Sequence, residues 1–141
     1  MTGEQYDLAR FIEAQEGVIE RAKSELAAGR KCSHWMWFIF PQIVGLGRNA
    51  MAERYAISSL AEAGAYAAHP VLGQRLRDCT AAVLATQGRS AHEIFGSPDD
   101  LKFCSSMTLF ARACPQEPLF RRALTVFFEG QEDLQTAKRL G

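Results

Sequence analysis

The chain has 141 residues, 48% of them hydrophobic and 23% charged, and its sixteen basic and sixteen acidic residues cancel to a pI near 6.8. Such a length supports one domain over residues 1–141 with a core of its own. The balanced charge lacks the basic surplus that signals a polyanionic partner, and no apolar run reaches the ~18 residues of a membrane span, so neither a nucleic-acid nor a membrane partner is expected.

The N-terminal "MTGEQYDLARF" lacks the basic and apolar regions of a secretory leader. Cys32, Cys79, Cys104 and Cys114 make no C-x-x-C pair and no zinc spacing with His34, His69 or His92. The expectation is a cytoplasmic protein with reduced thiols, no structural disulfide, no metal and no cofactor.

Apolar residues from Leu8 to Leu26 recur at helical spacing, which predicts a helix over 6–28, weakened at Gly17 and stopped at Gly29. Next comes "KCSHWMWFIFPQ", Lys31 to Gln42, which holds both tryptophans and ends at Pro41. Its aromatics favour an extended segment, in which Ser33, Trp35 and Trp37 share one face and His34, Met36 and Phe38 the other. "GLG", Gly45 to Gly47, reads as a turn. A short helix is predicted around 51–55, and Ser59 with Glu62 forms a capping-box pattern opening "AEAGAYAAH".

Pro70 suits the first turn of the next helix, whose apolar face runs to Leu84 before Gly88. "SAHE" repeats the capping box with Ser90 and Glu93. "SPDD" predicts a helix start with Ser97 as cap, Pro98 in first position, and Asp99 and Asp100 complementing the dipole. Leu101, Cys104, Met107, Thr108 and Ala111 then fall on roughly one face. Pro115 breaks the chain, "PLFRRALTVFFEG" gives an amphipathic helix, and "EDLQTAKRL" a short polar one. The fold class is mainly α: a compact helical domain with a short aromatic extended segment after its first helix.

Five runs carry a resemblance: "LARFIEAQ", "GRKCSHWMWFIFPQIVGLG", "YAISSLAEAGAYAAHPVLGQRL", "IFGSPDDLKFCSSMTLF" and "FFEGQEDLQT". In this order they are similar to a bacterial family of small domains of unknown function, sometimes mislabelled calpastatin. The resemblance implies a mainly helical fold and a distant relation to NADAR or YbiA-like domains, which are N-glycoside hydrolases of nucleotide-derived or ADP-ribose-linked substrates. Cys32 and Cys104 stand where the family pattern has basic residues, which implies a weaker or different hold on an anionic ligand.

The aromatic stretch reads as a pocket wall or as core. As a wall, Trp35 or Trp37 stacks on a planar ring, Lys31 pairs with phosphate, Ser33 borders the ligand and His34 shuttles a proton. As core, the polar atoms merely satisfy nearby backbone. Glu62 is a candidate carboxylate for an oxocarbenium-like centre, set against its capping role. Asp99 is a candidate base, set against dipole complementation, with Lys102 and Ser105 on the same helix. Arg48 after "GLG" is a candidate anion clamp.

Two readings follow. One is a metal-independent N-glycosidase-type hydrolase with Glu62, Asp99 and His34 managing protons. Lys31, Ser33, Trp35, Trp37, Arg48, Lys102 and Ser105 would bind a planar, anionic, nucleotide-like molecule. The other is a non-catalytic module that binds a small molecule or a protein segment on the same wall.

Overall fold

The computed structural model describes residues 6–86 and 88–141. Met1 to Gln5, part of the segment read for a leader, lie outside them. Ten helices are present among the described residues: α1 Ala9–Gln15, α2 Ile19–Ala27, α3 Met36–Ile39, α4 Ala50–Arg54, α5 Leu60–Ala68, α6 Leu72–Leu84, α7 Ala91–Phe95, α8 Asp99–Ala113, α9 Pro118–Phe128 and α10 Leu134–Leu140. The expected mainly helical domain is what forms, and no described helix is long and apolar enough to cross a membrane.

The expected first helix is two. Gly17 adopts φ 77°, a left-handed conformation that costs glycine little and interrupts the helical ladder between α1 and α2. Gly29, at φ 76°, ends α2 as expected.

α8 is the central helix. It packs against α9, α5, α7 and α10, while α2 and α5 pack on α6 and α6 also meets α9. Every residue from Phe103 to Ala111 is buried, whereas Leu101 is 61% exposed. The one-faced pattern expected for α8 is therefore replaced by burial all round, which requires apolar or small side chains on every side. Its hydroxyls tolerate this by bonding back to the helix: Thr108 Oγ1 donates to the Cys104 carbonyl at 2.8 Å and Ser105 Oγ to that of Leu101 at 3.1 Å.

Phe103 anchors the aromatic core, stacked on Phe95 at 4.7 Å and edge-on to Phe40 at 5.0 Å. Phe11 meets Tyr66 edge-on at 5.0 Å. Between α5 and α6 the chains approach closely, because a Cβ on Gly73 would stand 2.1 Å from the Ala67 carbonyl oxygen.

Helix caps follow the sequence in part. Ser90 and Glu93 form the full capping box. Ser59 Oγ accepts from the Glu62 N–H, but the Glu62 carboxylate turns to Ser58 instead, so that box is half made. Pro98, not Ser97, precedes α8, and no side chain caps it. α6 begins at Leu72, after Pro70, with His69 Nδ1 accepting from the Val71 and Leu72 N–H groups.

Candidate functional site

The Lys31–Gln42 stretch does not run extended. Residues 30–35 are irregular, Met36 to Ile39 make one helical turn, and Pro41 and Gln42 lead to a single parallel bridge between Ile43 and Ile57. The period of the turn overturns the alternation expected for a strand: Trp35, Met36 and Phe38 are buried, while Trp37 is half-buried. The C-terminal end of the turn is held by Gln15, a buried side chain whose Nε2 donates to the Phe38 carbonyl at 2.7 Å.

Glu25 of α2 organises the irregular part. Its carboxylate accepts from Cys32 N at 2.8 Å, Ser33 N at 3.1 Å, Ser33 Oγ at 2.5 Å and Trp35 Nε1 at 2.9 Å. Burial pushes the carboxyl pKa up, but these hydrogen bonds outweigh it and hold it at about 2, against an ordinary 4.5. Trp35 has 0% exposure and its N–H is paired, so it is core and offers no ring face to a ligand. Ser33 is likewise spent on Glu25. Both correct the expectation that these side chains border a ligand.

Lys31 is tied to α7 by its backbone N–H, which donates to the Ile94 carbonyl at 2.7 Å. Its ammonium pairs with Asp99 Oδ2 at 2.8 Å, donates to the Ser33 carbonyl at 2.5 Å and lies 5.0 Å from the Trp35 ring centroid. At 7% side-chain exposure, with Asp99 and the Ser33 carbonyl on two of its three donors, it is nearly closed to a ligand, against expectation. Lys102 differs. Its ammonium stands 3.6 Å from Asp99 Oδ1, beyond a hydrogen bond, and 5.4 Å from the Trp37 ring centroid. Two lysines thus share one carboxylate, and Lys102 is the more exposed of the two, at 25% side-chain exposure against 7%.

Two hollows adjoin this group. One, of about 250 Å³, is lined by Trp37, Gln42, Tyr55 and the Ile43–Gly45 turn, with Glu53 on its wall. The other, of about 270 Å³, is lined by Gln42, Pro98, Leu101, Lys102, Ser105 and Asp133. Gln42, Gly47 and Ala52 belong to both linings. Gly47 has to be glycine here, since a Cβ would stand 2.5 Å from that of Ala52. The Trp37 indole N–H is buried and has no acceptor, and the Gln42 side chain makes no hydrogen bond among the described residues. An unpaired buried donor costs about 1–3 kcal/mol, which marks it as a place where an acceptor is wanted.

The three expected proton-handling residues do not meet. Glu62, 3% exposed, accepts from Ser58 N at 2.7 Å and Ser58 Oγ at 2.8 Å and pairs with Arg10 at 3.3 Å. Asp99 is held between its lysines. His34 is exposed, with no hydrogen bond or ion pair among the described residues. None of the three lines either hollow. Arg48 is exposed and lies between two lining residues, Gly47 and Asn49, without lining the hollow itself. Ser105 lines the second hollow, its hydroxyl donating to its own helix.

The structure thus brings Trp37, Lys102 and Ser105 of the expected residues to the two adjoining hollows and adds Gln42, while Glu25 holds Ser33 and Trp35 outside them. Gln42 closes the aromatic run "FPQ" and was visible as a polar group beside tryptophan. Glu25 sits ten positions before Trp35 on the polar side of a helix, where nothing local distinguishes it from a solvated carboxylate.

The chain is similar to the conserved hypothetical protein Rv1873 from Mycobacterium tuberculosis, whose crystal structure is 54% identical over 96% of this chain and 97% of that one, with a TM-score of 0.95. A comparison with curated proteins found no match. The family model described as protein of unknown function (DUF1810) matches residues 5–140, and the chain belongs to that family.

Proposed function

We propose that the protein is a non-catalytic binding module for a small, planar, anionic molecule, seated where Trp37, Gln42 and Lys102 meet. One observation carries the reading: the buried Trp37 N–H lacks an acceptor while the Lys102 ammonium beside its ring lacks a hydrogen-bonded counter-ion. A ligand oxygen can accept from Lys102, the half-buried Trp37 ring can cover a planar group, and the Gln42 amide can pair with a polar ring edge. The two hollows adjoin through Gln42, Gly47 and Ala52, and together they reach the range of small-molecule sites.

Hydrolysis of an N-glycoside is the less supported reading, because Glu62 and Asp99 are already engaged by Arg10, Ser58 and two lysines. The two are separated by one experiment. Purified protein is screened by thermal shift and intrinsic tryptophan fluorescence against nucleoside monophosphates, NAD and ADP-ribose, and each mixture is followed by chromatography. The binding reading expects a raised melting temperature with at least one anionic ring compound, no product, and loss of the shift in Lys102→Met. Product release abolished by Glu62→Gln overturns it in favour of the hydrolase. An unchanged shift in Lys102→Met also overturns it.

A further inference from the structure

We infer that residues 44–54 form a lid over the Trp37 site, and that opening it joins the two hollows into one cleft and uncovers the Trp37 indole N–H. The opening stands on the geometry of this loop, and that a ligand enters through it rests on the binding reading above.

The loop is pinned at its ends and loose between them. At its base Val44 N donates to the Ile57 carbonyl at 2.8 Å, and Ile57 N to the Gln42 carbonyl at 2.8 Å. Arg10 fixes the returning chain, its Nε donating to the Arg54 carbonyl and its Nη2 to the Ala56 carbonyl, each at 2.8 Å. Between the buried Ile43 and Tyr55, every residue from 44 to 54 is exposed or half-buried, α4 included. Among the described residues, no hydrogen bond or ion pair ties residues 45–53 to anything outside residues 44–56; the Asn49 Oδ1 cap on the Ala52 N–H, at 2.8 Å, stays within the loop. Leu46 and Met51 rest on the core only partly buried. Arg139 of α10 lies against Gly45, where a Cβ would stand 2.5 Å from its Cζ, and it holds the loop by packing alone. A segment with little buried apolar surface and no hydrogen bonds to the body is among the first to open, and pinned ends confine the motion to the loop.

The loop stands where an opening matters. Val44, Gly45, Gly47, Ala52 and Glu53 line the hollow beside Trp37, and Leu46, Gly47, Asn49 and Ala52 line the hollow beside Lys102. Gly47 and Ala52 belong to both linings, so their withdrawal leaves one cleft from Trp37 to Lys102, with Gln42 of the pinned base between them. The Trp37 N–H is buried without an acceptor while the loop is closed. Such a donor favours opening, because water or a ligand oxygen then reaches it.

The test follows deuterium exchange of the two indole N–H groups of the full chain by NMR, in water and in urea below the unfolding transition. Trp35 is the internal standard, since its N–H is paired with Glu25 and its ring is fully enclosed. The expected result is that Trp37 exchanges faster than Trp35, more slowly than free indole, and at a rate that low urea leaves unchanged, the mark of a local opening. Asn49→Ala, which removes the cap of α4, is expected to speed Trp37 exchange about fivefold. Trp37 exchange that rises with urea in step with Trp35, that runs at the free-indole rate, or that Asn49→Ala leaves unchanged overturns the lid. No ligand enters this measurement, so a failed ligand screen overturns the binding reading and leaves the lid standing.

Discussion

The Trp35 indole N–H donates to Glu25 Oε1 at 2.9 Å, so the fully enclosed tryptophan of the aromatic stretch hangs from a carboxylate one helix earlier. The same carboxylate gathers the Cys32 and Ser33 N–H groups and the Ser33 hydroxyl. One side chain therefore closes the irregular loop between α2 and α3.

Stability is expected to fall in acid through Glu25. Its pKa in the folded chain, about 2, lies below the ordinary 4.5. The stabilisation it supplies is present above pH 4.5 and is lost as pH falls toward 2. Glu25 stays partly open to solvent, which limits the contribution to about 1–2 kcal/mol. Chemical denaturation of Glu25→Gln should show that deficit at pH 7 and a narrowing gap to the natural chain between pH 4.5 and 2.

The two tryptophans should part on mutation. Trp35→Ala removes a fully buried indole and is expected to cost about 3–5 kcal/mol. Trp37→Phe removes a donor that has no acceptor and is expected to change stability by under about 1 kcal/mol, while weakening ligand binding at least several-fold. Urea midpoints and a fluorescence titration on the same preparations check both. A large loss of stability in Trp37→Phe would place that ring in the core alone.

Glu62→Ala should destabilise without touching the ligand. It leaves the Ser58 N–H without its acceptor and removes the Arg10 pair, a change expected to cost about 2–4 kcal/mol. Ligand affinity, measured at a temperature where the variant is folded, should match that of the natural chain.

The thiols should divide by burial. Cys32 is exposed, Cys79 and Cys104 are buried, and burial pushes their pKa values up to about 12 and about 11; Cys114 is also raised by burial. A thiol-exchange titration of the native chain at pH 8 is expected to label Cys32 promptly, the half-buried Cys114 more slowly, and Cys79 and Cys104 only after denaturant is added. Cys32→Ser should abolish the fast phase.

Much of this fold is legible along the chain because its signals are local. Helical apolar spacing, the Ser90–Glu93 box, Gly29 and the Pro115 break each act within a few residues, and the helices they announce are present, the first of them split in two at Gly17. The family resemblance was legible for the same reason, being carried by runs of side chains in order. What depends on contacts distant in sequence could not be read. The burial of α8 on all sides comes from four helices closing round it, and the helical turn at Met36 to Ile39 is held by Gln15 from another element.

The site divides along the same line. The sequence determined that an aromatic stretch would carry polar groups, and that Lys102 and Ser105 would follow a helix start. Only the tertiary structure decided that Glu25 would consume Ser33 and seal Trp35, that Asp99 would bind Lys31 more closely than Lys102, and that Glu62 would turn to Arg10. The physical reason is that an isolated polar side chain carries the same chemistry whether it is free or paired, and pairing is set by which distant partner the packed helices bring within hydrogen-bond reach.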